Sequence, residues 1–423
     1  MKAHPRRSAL VAVAAILALT AAGCSSKAKD DDGEGGGKGA NALKTGDGVT
    51  ATTIPLGVLT DMTGVYATLG KSVTQAQQLY MKQLNAKGGI CGRKVELTIR
   101  DHGYDPRKAV AAYTELEPKV LGFPQFIGSP FVAAQKKRID EQDKGLVIPQ
   151  AWSANLLGSE SIRQIGATYD YEMINAVDFL VKKKFVKSGD KIGHVYFEGD
   201  FGENALAGSK YAAEEAGVSV VEQKIKPTDQ DMTAQVTALK KAKVKAILIS
   251  AGPAQSASLT GVAAAAKLPV PVVGNNPTFA PQLLKTQAAP ALLKNFYFMA
   301  STLPIGDKGS GPAELAKTYS AAYKGALLDN GIIAGWAAAD VFAEALKQAC
   351  KSKDLTRDGV RKALLSMTDY DQGFGISHDF SDAAAPSTKE SYVLRPDAKA
   401  KGGMVVAEKT FTAPAAEGYT PEG

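Results

Sequence analysis

The apolar positions along this chain follow two alternating spacings from residue 54 onward. Short apolar runs predict buried strands, and apolar residues repeated every three or four positions predict amphipathic helices. The helix that begins near Leu69 is predicted to end at the Gly88-Gly89 pair. The predicted strands are 54–59, 95–99, 126–127, 147–148, 191–196, 218–221, 246–249 and 270–273. The predicted helices are 69–84, 109–118, 132–142, 171–181, 202–216, 232–241, 254–266, 333–350 and 356–366.

This order of elements runs through the same alternation of strands and helices twice. Such an alternation predicts parallel sheets covered by helices, so we expect an α/β protein with two doubly wound parallel-sheet domains. The chain has 423 residues, which is long enough for two domains of ordinary size.

The N-terminus carries a separate pattern. A basic start with Arg6 and Arg7, an apolar run of about 11 residues and small residues before Cys24 are typical of an export signal. The run is too short to cross a bilayer, which needs about 20 residues. The Ala-Ala-Gly-Cys ending resembles the lipobox of bacterial lipoproteins, in which the cysteine is lipidated. We therefore expect 1–23 to be a lipoprotein signal peptide; the alternative is an ordinary secretory signal with an incidental cysteine.

The segment that follows Cys24 is rich in glycine and charge. It has no apolar period with which to bury a core, so we expect 24–52 to be a disordered tether. A flexible coil of about 28 residues has an end-to-end distance of roughly 30 Å. The sequence thus predicts an extracytoplasmic protein that a lipid holds at the cell membrane.

The charged residues and histidines exclude several classes of function. The formal net charge is +7, and without the three basic residues of the signal it is +4, with no basic run interleaved with aromatics. Nucleic-acid binding is therefore not expected. No nucleophile elbow, zinc-protease motif or dinucleotide fingerprint occurs, and the four histidines show no metal-ligand spacing. We expect no catalytic residues, no metal and no cofactor, hence a protein that is not an enzyme.

Two cysteines remain after Cys24, namely Cys91 and Cys350. Two cysteines in an exported protein most often pair, which predicts a disulfide between them. The alternative is two buried free thiols.

The loops that follow the predicted strands identify a candidate binding site. In open α/β sheets ligands bind beyond the carboxyl ends of the strands. Aromatic rings with a few hydroxyls and amides are the usual composition of a small-molecule pocket. For Trp152 and Phe201, packing between the domains is the alternative to ligand contact. The candidate residues in these loops are Thr63, Tyr66, Tyr104, Ser129, Phe131, Trp152, Ser153, Phe201 and Asn276.

Several motifs give the chain a resemblance to a known family. The run Asn85-Ala86-Lys87-Gly88-Gly89-Ile90 is the most specific, and Met62-Thr63-Gly64, 105–110, 201–203 and 337–339 fit as well. Over about 53–410 the chain resembles the leucine/isoleucine/valine-binding proteins, which capture ligands for ABC transporters and have the type I periplasmic binding fold. The resemblance implies two lobes joined by a three-segment hinge, comprising 53–168 plus 300–380 and 169–299 plus 381–423. It also places the helix 333–350 in the same lobe as Cys91, which supports the disulfide.

The chain departs from this family where amino-acid binders grip the ligand's ammonium. The family's tyrosine and glutamate at these positions fall on Gly252 and Asn276, and a further tyrosine falls on Phe201. A desolvated ammonium needs a negative partner. We therefore hypothesise a ligand with no free α-ammonium, such as an amide or an aromatic acid. A shifted alignment is the alternative, with the negative charge supplied by Asp61, Glu198 or Asp200.

The combined prediction is a membrane-anchored, extracytoplasmic solute-binding lipoprotein. It would capture an amino acid or a related small amide or carboxylate between two lobes and deliver it, as a monomer, to an ABC transporter permease. A tethered sensor with the same fold is one alternative, and an extracellular α/β hydrolase is a less favoured one.

Overall fold

A computed structural model describes residues 42–421 of the chain. Within them the backbone forms strands of two to eight residues. These are β1 (Lys44–Thr45), β2 (Thr53–Thr60), β3 (Lys94–Asp101), β4 (Gly122–Phe123), β5 (Gln125–Phe126), β6 (Leu146–Val147), β7 (Lys191–Phe197), β8 (Ser219–Ile225), β9 (Ala246–Ser250), β10 (Val272–Gly274), β11 (Phe296–Ala300), β12 (Asp354–Leu355), β13 (Tyr370–Asp371), β14 (Ser377–His378), β15 (Ser391–Pro396) and β16 (Met404–Phe411).

The α-helices alternate with these strands. None of the helices in 42–421 is both long and apolar enough to cross a membrane. They are α1 (Ala67–Ala86), α2 (Pro106–Leu116), α3 (Ser129–Arg138), α4 (Tyr169–Lys182), α5 (Asp200–Glu215), α6 (Thr233–Ala242), α7 (Pro253–Ala265), α8 (Ala289–Asn295), α9 (Ser310–Ala322), α10 (Asn330–Lys351) and α11 (Arg357–Leu365).

The first group of strands is built around β2. Strand β2 pairs in parallel with β3 on one side and with β5 on the other, and β4 pairs in parallel with β6. Both faces of β2 are apolar: Ile54 and Leu56 pack in a core with α10 and α11, whereas Leu59 packs in a second core with α2 and α3. This is the two-sided burial that a parallel sheet requires.

The second group forms one sheet of seven strands in the order β16-β15-β11-β10-β9-β7-β8. The five strands from β11 to β8 are parallel, while β15 and β16 run antiparallel at one edge. Helices α4 and α5 pack together against this sheet, and α6, α7 and α8 form a second packed group. The predicted α/β fold with parallel sheets is confirmed, and the antiparallel edge is an addition that the strand pattern did not predict.

Two segments from late in the chain complete the two groups of strands. Helix α10 packs along α1 beside the first group, and β15 and β16 add to the sheet of the second group. The apolar residues of α10 and α11 share a core with β2, whereas those of β15 share a core with β9, β10 and β11. We retain the division into lobes at 168/169, 299/300 and 380/381 as a proposal.

The segment before β2 differs from its prediction. Residues 24–52 were expected to be disordered, but the described part, 42–52, is ordered; residues 24–41 lie outside the described range. Strand β1 pairs in parallel with β12, and Leu43 and Val49 pack against the core beneath. Asp47 also lies 3.1 Å from the Arg357 guanidinium. The short segment gains its order from partners about 300 residues away, which its own composition does not show.

The predicted disulfide is present in the structure. Cys91 and Cys350 are bonded, and their Cα atoms lie 6.0 Å apart, within the usual range for a disulfide. The bond joins the turn after α1 to the last turn of α10 and closes a sequence separation of 259 residues.

We expect the double variant Cys91→Ser/Cys350→Ser to lower the free energy of unfolding by about 2–4 kcal/mol, because the cross-link restricts the unfolded chain. Denaturant unfolding followed by circular dichroism measures the loss. Adding reductant to the wild type should reproduce the loss, and reductant should not change the variant further. Equal stability of the two proteins under oxidising conditions would show that the bond does not contribute.

Candidate functional site

A cavity lies between the two groups of strands, where the carboxyl ends of β2, β5, β7 and β10 approach one another. It has two adjoining chambers. The cavity volume is about 60 Å³ in the outer chamber and about 50 Å³ in the inner one. The residues that line both chambers are Gln150, Trp152, Asn276, Phe298, Asn330 and Ala334.

The loop after β2 places the first wall of the outer chamber. The buried Asp61 carboxylate accepts hydrogen bonds from the backbone N–H groups of Gly64 at 2.6 Å and Tyr66 at 2.9 Å. These bonds turn the chain so that Tyr66 stands just before the first residue of α1. Gly70 is required at the next turn of the helix, because a Cβ there would lie 1.9 Å from the Asp61 carbonyl oxygen.

Three tyrosines stand around the outer chamber. The ring of Tyr66 meets that of Tyr104 edge to face at 5.1 Å, and Ser129 Oγ donates to Tyr169 Oη at 3.4 Å. Burial raises the pKa of all three tyrosines above the ordinary value, so their hydroxyls stay protonated. Tyr66 Oη is buried and has no partner with good hydrogen-bond geometry within the described residues, while the neighbouring Tyr104 hydroxyl adds to burial in raising the Tyr66 pKa.

Trp152 and Gln150 separate the two chambers. The indole Nε1 of Trp152 donates to the Ile165 carbonyl at 2.8 Å, which fixes the ring. Tyr169 packs against Trp152 at 6.1 Å and against Phe201 at 4.4 Å. The side-chain Oε1 of Gln150 is buried and has no hydrogen-bond partner in 42–421.

The inner chamber contains one carboxyl group, that of Glu172 in the first turn of α4. Glu172 is 2 % exposed, and its Oε2 accepts the backbone N–H of Asn276 at 3.2 Å. Burial raises the pKa of this carboxyl well above its ordinary range, although the Asn276 N–H acts in the opposite direction. Asn276 precedes Pro277 through a cis peptide bond, and both residues line the outer chamber.

The walls carry no lysine, arginine or histidine among the described residues. Four helices begin at the walls instead: α1 after Tyr66, α3 at Ser129, α4 at Tyr169 and α10 at Asn330. The N-terminus of a helix carries a partial positive charge and unpaired N–H groups. The site therefore combines apolar rings and neutral hydrogen-bonding groups with a mildly positive backbone field.

The structure brings together six of the ten residues that the sequence selected. Tyr66, Tyr104, Ser129, Trp152, Phe201 and Asn276 line the outer chamber.

The other four selected residues lie off the lining of both chambers. Thr63 is exposed and donates to Asp101 Oδ2 at 3.0 Å, and Phe131 is buried in the core beside α2. Ser153 donates to the Asp200 carbonyl at 3.1 Å, and Gly252 precedes α7, where an added Cβ would lie 2.8 Å from Val65.

The alternative sources of negative charge also lie elsewhere. Asp61 is occupied by the turn before α1, Glu198 is exposed, and Asp200 binds Asn155 beside an outer groove. Sequence reasoning missed Glu172, Gln150 and Asn330 as lining residues. Gln150 lay within a loop that the strand-end rule had identified, whereas Glu172 was hidden inside a predicted helix.

Comparison with known proteins agrees with this architecture. The family model described as "Periplasmic binding protein" matches residues 53–403. A solved structure of a fatty acid ABC transporter substrate-binding protein from Thermomonospora curvata is 49 % identical, with a TM-score of 0.89 over 90 % of this chain and 98 % of that one.

More distant relatives were also found. A branched chain amino acid ABC transporter protein from Thermus thermophilus with bound valine has a TM-score of 0.78 at 20 % identity, over 87 % of this chain and 98 % of that one, which shows the shared fold. The Leu/Ile/Val-binding protein BraC3 of Rhizobium johnstonii is 26 % identical over 202 residues, which are 46 % of this chain and 53 % of that protein. The match thus spans about half the length of the curated relative.

The fold, the position of the cavity between the two groups of strands and these matches agree with the resemblance that the sequence motifs indicated. The chain therefore belongs to the periplasmic binding protein family, together with the leucine/isoleucine/valine-binding proteins.

Proposed function

We propose that this protein is an extracytoplasmic solute-binding protein that captures a small carboxylic acid with an apolar body, in the first instance a fatty acid, for an ABC transporter. The observation that carries the proposal is the composition of the cavity. Its walls combine aromatic and aliphatic side chains with tyrosine, serine and amide groups, and the part of the chain that the structure describes contributes no cationic side chain to them. Such a site suits a ligand that is mostly apolar and has one polar end.

The polar end of the ligand is proposed to lie where buried polar atoms lack partners. Tyr66 Oη and Gln150 Oε1 both line the outer chamber, and an unsatisfied buried polar atom costs about 1–3 kcal/mol. The protonated Tyr66 hydroxyl can donate to a carboxylate oxygen, and the helix N-termini at the wall favour negative charge. Gln150 Oε1 is an acceptor, so its partner would have to be a donor, such as the proton of a neutral carboxylic acid. A carboxylate can therefore be held here without a formal cation.

The ligand class is supported by the relatives as well as by the walls. The 49 % identical relative is named for fatty acids, whereas the two amino-acid-binding relatives described above are 20 % and 26 % identical. The positions that grip an ammonium in amino-acid binders fall on Gly252, which lines neither chamber, and on Asn276, which carries no charge. An α-ammonium in the outer chamber would therefore meet no carboxylate there.

The remaining parts of the proposal concern location and partners. The signal-like N-terminus and Cys24, which lie outside the described residues, support export and lipid anchoring at the membrane. Closure of the two lobes on the ligand would present a distinct surface to the permease, and it requires the ligand to bind the closed state more tightly than the open one. The protein is proposed to act as a monomer and as a binding protein rather than an enzyme.

We expect saturated fatty acids to raise the stability of the protein and leucine, isoleucine and valine to leave it unchanged. At a hundredfold excess over the dissociation constant, a ligand that binds only the folded state adds about 2.7 kcal/mol. A thermal-shift screen across chain lengths, followed by calorimetry on the strongest acid, measures the effect. Tight binding of any of the three amino acids, with no response to fatty acids, would refute the proposed ligand class.

The variant Tyr66→Phe should bind the same fatty acid about tenfold or more weakly, since a hydrogen bond to a charged group contributes about 1.5–3 kcal/mol. Its stability without ligand should fall little, because Tyr66 Oη has no partner with good hydrogen-bond geometry in the described chain and only the Tyr104 hydroxyl is close to it. Calorimetry and denaturant unfolding measure the two quantities.

The matched control for this variant is Tyr113→Phe. Tyr113 Oη donates to Asp143 Oδ2 at 2.8 Å in a core away from the cavity, so this change should reduce stability and leave affinity unchanged. Equal affinity of the Tyr66→Phe variant and the wild type would argue against a polar group of the ligand at Tyr66.

Replacement of the proposed lipidation site, Cys24→Ser, should move the protein from the membrane fraction to the soluble extracytoplasmic fraction. A lipid chain buried in the bilayer contributes about 0.8 kcal/mol of membrane-binding free energy per CH₂ group. The variant lacks the thiol to which the lipid would be attached. Cell fractionation with immunoblotting measures the distribution, and mass spectrometry of the wild type identifies the modified residue. If the variant stays in the membrane fraction with its N-terminal segment cleaved, anchoring through Cys24 is wrong.

A further inference from the structure

The inner chamber places a carboxyl group where the proposed ligand would bring a second one. Glu172 faces this chamber from the first turn of α4, and the chamber shares six lining residues with the outer one. One carboxylate oxygen, Oε2, accepts the Asn276 N–H, and Oε1 makes no hydrogen bond to any described residue. A polar group of this kind is not needed to bury an alkyl chain, so its presence at the wall requires a separate explanation.

The groups around Glu172 do not compensate a negative charge. On its own helix the nearest titratable neighbours are Asp170, which raises the pKa of Glu172, and Tyr169, whose hydroxyl is neutral. From the other elements the chamber is lined by apolar side chains and by Gln150, Trp152, Asn276, Ser301, Thr302 and Asn330, none of which titrates near neutral pH. The N-terminal turn of α4 and the Asn276 N–H favour the ionised form of Glu172. The burial of the carboxyl group has the opposite and larger effect on its pKa.

Two carboxyl groups in one cavity without a cation do not ionise together at neutral pH. At an effective dielectric constant of about 20, two like charges about 6 Å apart cost about a hundredfold in a binding constant. Pairs of carboxyl groups in such surroundings keep one proton between them and titrate as a unit.

We propose that Glu172 and the carboxylate of the bound ligand share one proton, so that the protein captures its acid together with a hydrogen ion. This inference rests on the proposed function, because it requires a carboxylate ligand in the cavity. Protonated Glu172 supplies a neutral hydrogen-bond donor within the joined chambers. Ionised Glu172 repels the ligand.

The direction of the pH dependence follows from this sharing. A bound carboxylate makes the ionisation of Glu172 harder, so the complex holds its proton to higher pH than the free protein does. Affinity for the acid is therefore constant at low pH and falls by up to tenfold per pH unit as Glu172 of the free protein loses its proton. An uncharged ligand of the same chain length, such as the corresponding alcohol, shows no such fall.

The experiment measures the dissociation constant of one fatty acid and its alcohol by calorimetry between pH 6 and pH 9. We expect the wild type to lose up to tenfold in affinity for the acid per pH unit above the pKa of Glu172 in the free protein, and to bind the alcohol equally throughout. The variant Glu172→Gln keeps an acceptor for the Asn276 N–H and mimics the neutral acid. It should bind the acid at pH 9 as tightly as the wild type does at pH 6.

The matched control is Asp329→Asn, which removes another buried acid. Asp329 accepts the Ser72 hydroxyl at 2.6 Å, lines neither chamber, and has a pKa raised by burial to about 7. It therefore titrates within the same pH range, and its variant should retain the pH dependence of affinity. A profile that flattens in Asp329→Asn and persists in Glu172→Gln would overturn the inference.

Two other results would also contradict the inference. A wild-type affinity that stays flat over pH values at which the ligand-free protein has lost the Glu172 proton would show that no proton is shared. A loss of more than tenfold at pH 6 in Glu172→Gln would show that the ionised carboxylate is needed, as for a ligand cation.

A measurement without ligand separates this inference from the proposed function. The folded-state pKa of Glu172 is raised, so the wild type should lose stability relative to Glu172→Gln as pH rises above about 4.5, by up to tenfold per pH unit in the unfolding equilibrium. If fatty acids fail to bind at any pH while this relative loss is seen, the ligand class is wrong and Glu172 is nevertheless a buried neutral acid. If fatty acids bind but the relative loss is absent, only the inference fails.

Discussion

A buried polar atom without a hydrogen-bond partner costs free energy, and two of the several such atoms among the described residues face the cavity where both groups of strands meet. Tyr66 Oη and Gln150 Oε1 line the outer chamber, and Glu172 faces the inner chamber with a single hydrogen bond to its carboxyl. A structure selected only for stability would replace these groups with apolar ones at little cost. Their retention is explained by a ligand that completes them, and the other features of the cavity serve to hold them in position.

The scaffold positions these groups through the ends of its regular elements. Loops after the parallel strands deliver Tyr66, Ser129, Trp152 and Asn276, and helices α1, α3, α4 and α10 begin at the same walls. The Asp61 carboxylate and the close approach at Gly70 fix the first of these loops without contributing to the cavity surface. The disulfide between Cys91 and Cys350 ties the far ends of α1 and α10, two of the four helices whose N-termini reach the site.

Much of this arrangement was predictable because the determining interactions are local. Apolar runs predicted β2, β7 and β9, and the strand-end rule selected Trp152 and Tyr66 from sequence alone. The rule also selected Phe131, which packs in the core beside α2, because it identifies loops but not the direction of each side chain.

Long-range interactions account for the rest. Strand β1 and the antiparallel pair of β15 and β16 depend on partners far away in the sequence, so their local composition was uninformative. Glu172 was missed because its neighbours make an ordinary helical pattern, and only the fold shows that this helix begins at a cavity. The two lining residues that bear most on ligand class, Gln150 and Glu172, were thus found from the structure.

The central claim is that a carboxylic acid with an apolar body occupies this cavity without a cationic partner. A crystal structure of the protein with a brominated fatty acid tests it most directly, because the anomalous signal locates the chain and the density locates the carboxylate. The account predicts bromine within the chambers and carboxylate oxygens at hydrogen-bonding distance from Tyr66 Oη or from the Gln150 and Glu172 side chains. A ligand bound elsewhere on the protein, or one whose carboxylate points into solvent away from these groups, would contradict the account.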